Sequence, residues 1–301
     1  MNPCAITVIV PFRNQAQLLW QACRSLQEQS RRDWNAILIN DSSQPEAISV
    51  ANYFLLNDNR FKLLHLEVKD HFPGPWLARN HGLRAATTSL VAFLDADDLW
   101  HPCKLEYQLK LHEACDHLLT VCSYYRFRAS DLSVREIRKP PRIIRPRSFL
   151  AGNPIPLSTV IVKRDLLLSV GGFRPEKHED YGLWLRLFLS DKPPSYQSLE
   201  APLMAYRLHK QSISAARHQS FIAVNTLLAQ HFPRRHQRWS ILVGMWGVMR
   251  LKSALSSKIR SWLCNSPLPE PFLTLANDYI PKNQSISVIN PHGAGDTNQD
   301  S

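Results

Sequence analysis

The sequence lacks several features that would assign it to a common class of protein. No stretch approaches the roughly 20 apolar residues that a membrane-spanning helix needs, and the short apolar run near the N-terminus is not typical of a signal peptide. The six cysteines are scattered without a CxxC pair, which argues against a disulfide framework and a structural zinc site. We therefore expect a globular protein of the reducing cytoplasm. Hydrophobic residues make up 44% of the sequence, which is enough to form its core.

Acidic residues are missing from 201–269, although the chain has a formal net charge of +11. A basic segment of this kind favours an anionic partner, and a solvated basic face is an equal alternative. Within it, 248–263 places apolar residues and Trp262 on one helical stripe, so this stretch would either lie in an anionic membrane interface or pack on the folded domain. Neither aromatic-studded basic strands nor a recognition helix is evident, so no nucleic-acid partner is expected.

Strand and helix patterns alternate four times within the first hundred residues. Each apolar, β-rich run is followed by a segment with helical spacing. This order predicts an α/β protein with a mostly parallel sheet, helices on both faces and a ligand site at the carboxyl ends of the strands. The predicted strands are 5–12, 34–41, 61–68 and 91–94.

The pattern loosens after Pro102, and we find no internal repeat. The tail from about Pro281 has the polar Gly/Asn/Ser composition that is typical of disorder. The predicted elements between these points are a helix at 104–115, a strand at 118–128, a basic proline-punctuated loop at 135–147, a strand and helix within 157–173, a helix at 179–190 and a strand at 202–209.

The stretch VAFLDADDLW (91–100) places three carboxylates directly after a buried strand. A desolvated, unpaired carboxylate costs several kcal/mol, so a positive species should lie there. Two carboxylates one residue apart can direct oxygens to a hard divalent cation that phosphate oxygens and water complete. An aspartate-rich turn that merely caps a helix is the alternative.

Six motifs carry a resemblance to a known family: VIVPFRN, SLQEQSRRDWNAILINDSS, GPWLARNHGL, FLDADDLWHPCKLEYQ, VGGF and HEDYGLWLRL. Their order and spacing resemble family 2 of the inverting glycosyltransferases. The resemblance implies a GT-A fold, a nucleotide-sugar donor and a divalent cation, Mn²⁺ or Mg²⁺. The implied organisation is a catalytic domain over 1–215, with a nucleotide-binding half (1–105) and an acceptor-binding half (106–215), then a basic helical extension (216–280) and a disordered tail (281–301).

The resemblance also implies roles on the donor side. Pro11, Phe12 and Asn14 would line the nucleoside pocket. Asp41 would accept a hydrogen bond from the base ring, although a helix N-cap is a rival role. Arg79 would lie near the diphosphate, because a guanidinium suits phosphate oxygens, and a surface ion pair is the alternative role.

Further implied roles concern the metal and the base. Asp95 would approach the ribose or a metal-bound water, and Asp97 would ligate the metal. His209 would reach the metal or the diphosphate, with a purely structural role as the alternative. Asp98 would cap the following helix. Asp180 matches the position of the family's base, with favourable charge at a helix N-terminus as the alternative.

The acceptor is less defined than the donor. Family members build cell-surface polysaccharides, lipid-linked oligosaccharides and protein glycans, and the charge of the loop around 126–147 suggests a phosphorylated acceptor such as a lipid-linked diphosphate sugar. A solvated loop would explain that charge equally well. The rival functions are nucleotidyl transfer on a related α/β architecture and non-catalytic binding of a nucleotide-sugar.

Overall fold

The computed structural model describes residues 5–66, 74–115, 118–208, 226–230 and 266–279, and within them it shows an α/β fold. The strands are β1 Ile6–Phe12, β2 Trp34–Asn40, β3 Phe61–His65, β4 Leu90–Phe93, β5 Leu99–Trp100, β6 Leu119–Arg128, β7 Val134–Arg138, β8 Ile161–Lys163 and β9 Tyr196–Leu208. The helices are α1 Ala16–Gln27, α2 Pro45–Asn57, α3 Trp76–Ala85, α4 Lys104–Ala114, α5 Arg164–Ser169, α6 Glu179–Phe188 and α7 Phe272–Ala276.

The strands of the described residues form a single mixed sheet in the order β3-β2-β1-β4-β8-β6-β9-β5, with β7 paired to β6. The first four strands are parallel, as the alternation of strand and helix predicts. In the second half β8 runs antiparallel to both β4 and β6, whereas β6 and β9 pair parallel, so the sheet is parallel in its first half and mixed in its second. A strand that pairs antiparallel needs no crossover helix, which is why the helical periodicity weakens there.

Helices cover both faces of the sheet because its central strands are apolar on both sides. Alternate residues of β1, such as Val8 and Val10, pack with α1 and α2, whereas Ile9 faces the core under α3 and α6. This is the period-2 alternation of a strand that is buried on two faces. The central strands are therefore held firmly, and their carboxyl ends are fixed in space.

Two elements differ from the sequence prediction. Residues 134–138, whose larger part was assigned to a basic loop, form β7 and pair antiparallel with β6. β9 begins at Tyr196, earlier than the predicted start at 202. Both segments carry charged residues at half-buried positions, and they are strands because β6 provides a partner for their backbones.

The segment 266–279 packs against β5, β6 and β9. Phe272 and Leu275 are buried with Leu99 and Phe127 in a separate apolar cluster. Within the described part of the chain, no helix is both long and apolar enough to cross a membrane. The amphipathic stretch 248–263 and the predicted disordered tail lie outside the described residues.

Candidate functional site

A cleft of about 620 Å³ opens at the carboxyl ends of β1 and β4. The topology places it where the sequence predicts a ligand site. Six residues assigned to the site from sequence line it together, namely Pro11, Phe12, Arg79, Asp95, Asp97 and Asp180. Further lining residues that the sequence reasoning did not select include Tyr124, Arg138, Asn153, Ser158, His178 and Tyr206.

The remaining predicted residues are not among those that line the cleft. The Asn14 carboxamide accepts a hydrogen bond from the backbone N–H of Gln44 at 2.8 Å, so it holds the chain entering α2. Asp41 is buried just after β2, with an Arg13 Nη1 4.0 Å from its Oδ2, and it does not cap α2, whose N-cap is Gln44. His209 lies outside the described residues.

The turn from Asp95 to Asp98 is braced from two sides. The Asp95 N–H donates to the Ser158 hydroxyl at 3.1 Å, and the Arg207 Nε donates to the Asp97 carbonyl at 2.9 Å. Asp98 is buried and accepts a hydrogen bond from the Arg207 N–H at 3.3 Å, so it is not the cap that we predicted for α4, whose N-cap is Cys103. Burial, with Asp97 and Asp95 nearby, raises the pKa of the Asp98 carboxyl.

A chain of hydrogen bonds extends from this turn to the C-terminal segment. Gln21 on α1 accepts from Arg207 Nη2 at 2.8 Å, and its own amide donates to the Ala276 carbonyl at 2.7 Å. Gln17 donates to the Asp278 carbonyl at 2.7 Å. The segment 266–279 therefore supports the arginine that holds the Asp97 backbone in place.

Arg79 is the buried centre of a charge network beneath the cleft. Only 5% exposed, it forms ion pairs with Asp95 and Glu179. Burial alone would lower the pKa of its guanidinium, but the two carboxylates raise it above its ordinary value. The described contacts of Arg79 are thus with carboxylates, and its predicted contact with a diphosphate stays a prediction.

Asp180 lies in the first turn of α6, beside the cleft. Its Oδ2 accepts a hydrogen bond from Asn153 Nδ2 at 2.6 Å, and its Oδ1 accepts one from the Tyr181 N–H at 2.8 Å. Burial raises the pKa of the Asp180 carboxyl, although Arg79 and the two hydrogen bonds oppose the shift. A half-buried carboxylate of raised pKa at the edge of a cleft is suited to accept a proton.

The Gly171–Gly172 turn sets the approach of α6 to α3. Asn80 accepts from the Phe173 N–H at 2.9 Å and donates to the Phe173 carbonyl at 2.8 Å. A Cβ at Gly172 would collide with Asn80 Oδ1, and Gly172 has φ of +66°. Gly171 has φ of +79°, and a Cβ on Gly171 would point into open space.

We expect Gly171→Ala to lower the free energy of unfolding by about 1–2 kcal/mol, the cost of a left-handed conformation for a residue with a Cβ. Gly172→Ala should cost about 1–3 kcal/mol more, because it also displaces Asn80 from two buried hydrogen bonds. Urea unfolding followed by tryptophan fluorescence measures both values. Equal losses in the two variants would show that Asn80 moves without cost.

The carboxylates of the cleft suit the divalent cation that the resemblance implies. Asp95 and Asp97 are half-buried at its lining and offer hard oxygen ligands. Within the described ranges, no cluster of three or more His, Cys, Asp or Glu side chains could hold a metal ion alone. A cation held here would take phosphate oxygens or water among its ligands.

The profile described as glycosyl transferase family 2 matches residues 7–165, more than half of the chain. The chain belongs to this family. Similar proteins include an uncharacterised glycosyltransferase from Haemophilus influenzae, 32% identical over 224 residues, which cover 74% of this chain and 86% of the relative. The match to the family and to its members favours glycosyl transfer over the two alternatives considered from sequence, nucleotidyl transfer and non-catalytic binding of a nucleotide-sugar.

This family 2 glycosyltransferase is also similar to one further relative in sequence and to one solved structure in fold. The UDP-Glc:alpha-D-GlcNAc-diphosphoundecaprenol beta-1,3-glucosyltransferase WfaP of Escherichia coli is 25% identical over 234 residues, covering 77% of this chain and 89% of that protein. The mannosyltransferase PcManGT from Pyrobaculum calidifontis, solved with GDP-Man and Mn²⁺, has a TM-score of 0.55 at 17% identity and covers 92% of this chain and 86% of its own. At that identity the structure supports the GT-A fold alone.

Proposed function

We propose that this glycosyltransferase transfers a sugar from a nucleotide-diphosphate sugar to a hydroxyl of a lipid-linked glycan, by a single inverting displacement. The observation that carries the proposal is the convergence of Asp95, Asp97 and Asp180 on one cleft. Asp180 lies far from Asp95 and Asp97 in sequence, and packing a strand end against a helix start for stability alone does not require three carboxylates there.

On the donor side, Asp97 and Asp95 would hold a divalent cation, Mn²⁺ or Mg²⁺, that neutralises the diphosphate of the leaving nucleotide when bound. Pro11 and Phe12 would contact the nucleoside from the end of β1. The backbone of Asp97 is fixed by Arg207, so the carboxylate needs little rearrangement to bind.

On the acceptor side, Asp180 would act as the base. The acceptor oxygen attacks the anomeric carbon, and its proton passes to the Asp180 carboxylate as the new C–O bond forms. The bond between the anomeric carbon and the diphosphate oxygen breaks, and its electron pair leaves with the nucleotide. Asn153 would hold the carboxylate in position for this transfer.

The nature of the acceptor is proposed from relatives. The Escherichia coli relative is named for a diphosphoundecaprenol-linked acceptor, and a substrate of that class would be met at a membrane surface. We propose a cytoplasmic protein that contacts an anionic membrane surface peripherally at the inner face. The basic segment between Ala201 and Pro269 supports such contact.

The test is a thermal-shift panel of UDP-, GDP-, dTDP- and CMP-sugars, with Mn²⁺ or with EDTA. We expect one donor to raise the melting temperature in Mn²⁺ only, because the cation links the diphosphate to the protein. Asp97→Ala should abolish the increase. Asp165→Ala, which removes a carboxylate with a side chain 94% exposed, should preserve it. The same increase in EDTA, or in Asp97→Ala, would contradict the proposed metal site.

A further inference from the structure

Three strands in the second half of the sheet present one polar face to the cleft. The register places Arg126 on β6 beside Glu136 on β7 and Tyr206 on β9, and it places Tyr124 beside Arg138. All of these except Glu136 line the cleft. Because residues opposite one another across a sheet share a face, the five side chains form a continuous surface, which we call the arginine wall.

The arginine wall carries net positive charge. Glu136 accepts a hydrogen bond from Arg126 Nη1 at 3.0 Å, and its other oxygen lies 2.7 Å from Arg138 Nε. Two guanidiniums therefore share one carboxylate. Their side chains are 30% and 36% exposed, and two guanidiniums have more N–H donors than one carboxylate can engage. Glu136 orients the pair and leaves them able to bind an anion.

Apart from Arg13 near the end of β1, the rest of the cleft is dominated by carboxylates. Asp95, Asp97, Glu179 and Asp180 belong to it, and Arg79 is committed to ion pairs with two of them. These carboxylates would repel a phosphate, so each anionic group that enters needs its own cation. In the proposed function the donor diphosphate has the metal at Asp97, whereas the arginine wall lies on other strands and serves a second group.

We infer that the arginine wall binds the diphosphate of the acceptor and so selects lipid-diphosphate-linked glycans over uncharged ones. This inference rests on the proposed function and assigns residues to its acceptor. Planar guanidiniums bind phosphate oxygens in pairs, which suits a diphosphate. Tyr124 and Tyr206, with ring centroids 6.4 Å apart, flank the arginines and offer aromatic surface to the adjoining sugar.

The experiment measures binding of decyl diphosphate to the full-length protein by calorimetry in EDTA. Without metal, Arg13 and the arginine wall are the cations of the described cleft lining that could hold a diphosphate, and the double variant below distinguishes them. We expect Arg126→Gln/Arg138→Gln to weaken binding by about tenfold or more, the effect of losing charge-assisted hydrogen bonds. Arg135→Gln is the matched control, since it lies on β7 outside the cleft lining, and Asp97→Ala should also bind normally.

Each of three results would overturn the inference. The first is that wild-type protein binds decyl diphosphate no better than an uncharged decyl glucoside. The second is that binding requires Mn²⁺ and vanishes in Asp97→Ala, which would place the probe in the proposed donor site. The third is that the double variant binds as well as Arg135→Gln. Failure of the proposed function would be seen in a different measurement. In that case no nucleotide-sugar would raise the melting temperature in a metal-dependent way, while binding of decyl diphosphate in EDTA would be unaffected.

Discussion

Asp180→Asn will lose about 10²–10⁴-fold in kcat, which is the contribution of a positioned general base. The substitution keeps the size of the side chain and an acceptor for the Tyr181 N–H, and it loses one exposed hydrogen bond, because the new amide group faces the Asn153 Nδ2 donor. It removes the group that we propose takes the acceptor proton. Donor binding does not involve this group, so the thermal shift by nucleotide-sugar and Mn²⁺ should remain. Release of nucleoside diphosphate in the presence of acceptor measures the rate.

Asp191→Asn, which alters an exposed carboxylate beyond the end of α6, is the matched control and should retain full activity. The pH profile gives a second test. Since burial raises the pKa of Asp180, the rate should fall on acidification at a higher pH than an ordinary aspartate, near 3.9, would give. If Asp180→Asn kept more than about a tenth of kcat, the proton would be taken by another group.

Arg79→Met will lower the free energy of unfolding by about 3–5 kcal/mol, the usual effect of breaking a buried ion pair. The substitution leaves Glu179, whose side chain is 7% exposed, without its cation. Burial already raises the pKa of Glu179, and Arg79 opposes that shift, so removal of the guanidinium should raise the pKa further. Urea unfolding at neutral pH gives the change in stability.

Arg84→Met is the control on the same helix, because Arg84 is exposed, and it should change stability by less than about 0.5 kcal/mol. Arg79→Met/Glu179→Gln should recover part of the loss, since the uncompensated charge is then gone. The two changes should couple by about 0.5–3 kcal/mol. A loss below about 1 kcal/mol in Arg79→Met would mean that the network is not what holds α6 against α3.

Sequence periodicity predicted the parallel half of the fold well. In the mixed half it identified α4, β6 and α6 but missed β7 and the early start of β9. β1, β2 and β4 are apolar on both faces, so each is recognisable in isolation. β7 is mostly polar and is a strand because β6 pairs with its backbone. Local patterns do not contain that information, because the pairing depends on where the rest of the chain has folded.

The site was predictable to the extent that its residues follow strand ends or begin a helix. Asp95 and Asp97 come after β4, and Asp180 opens α6, so topology brought them together. The charge around 126–147 suggested an anionic acceptor, but the arginine wall as a surface was not predicted, since its members meet only through cross-strand register. Asn153 lies in an irregular segment without periodicity, and no local signal identifies it.

The docked segment 266–279 has a consequence for how the protein is made on the ribosome. Gln21 and Arg207 leave the ribosome well before Ala276, whose carbonyl accepts a hydrogen bond from Gln21. They also leave it before α7, which covers Phe127. Chains grow at about 5–20 residues per second and fold from the N-terminal side first. The sheet can therefore assemble during translation, while the support behind the Asp97 turn arrives only late. A nascent chain can have a folded sheet and still lack the finished support for the Asp97 turn.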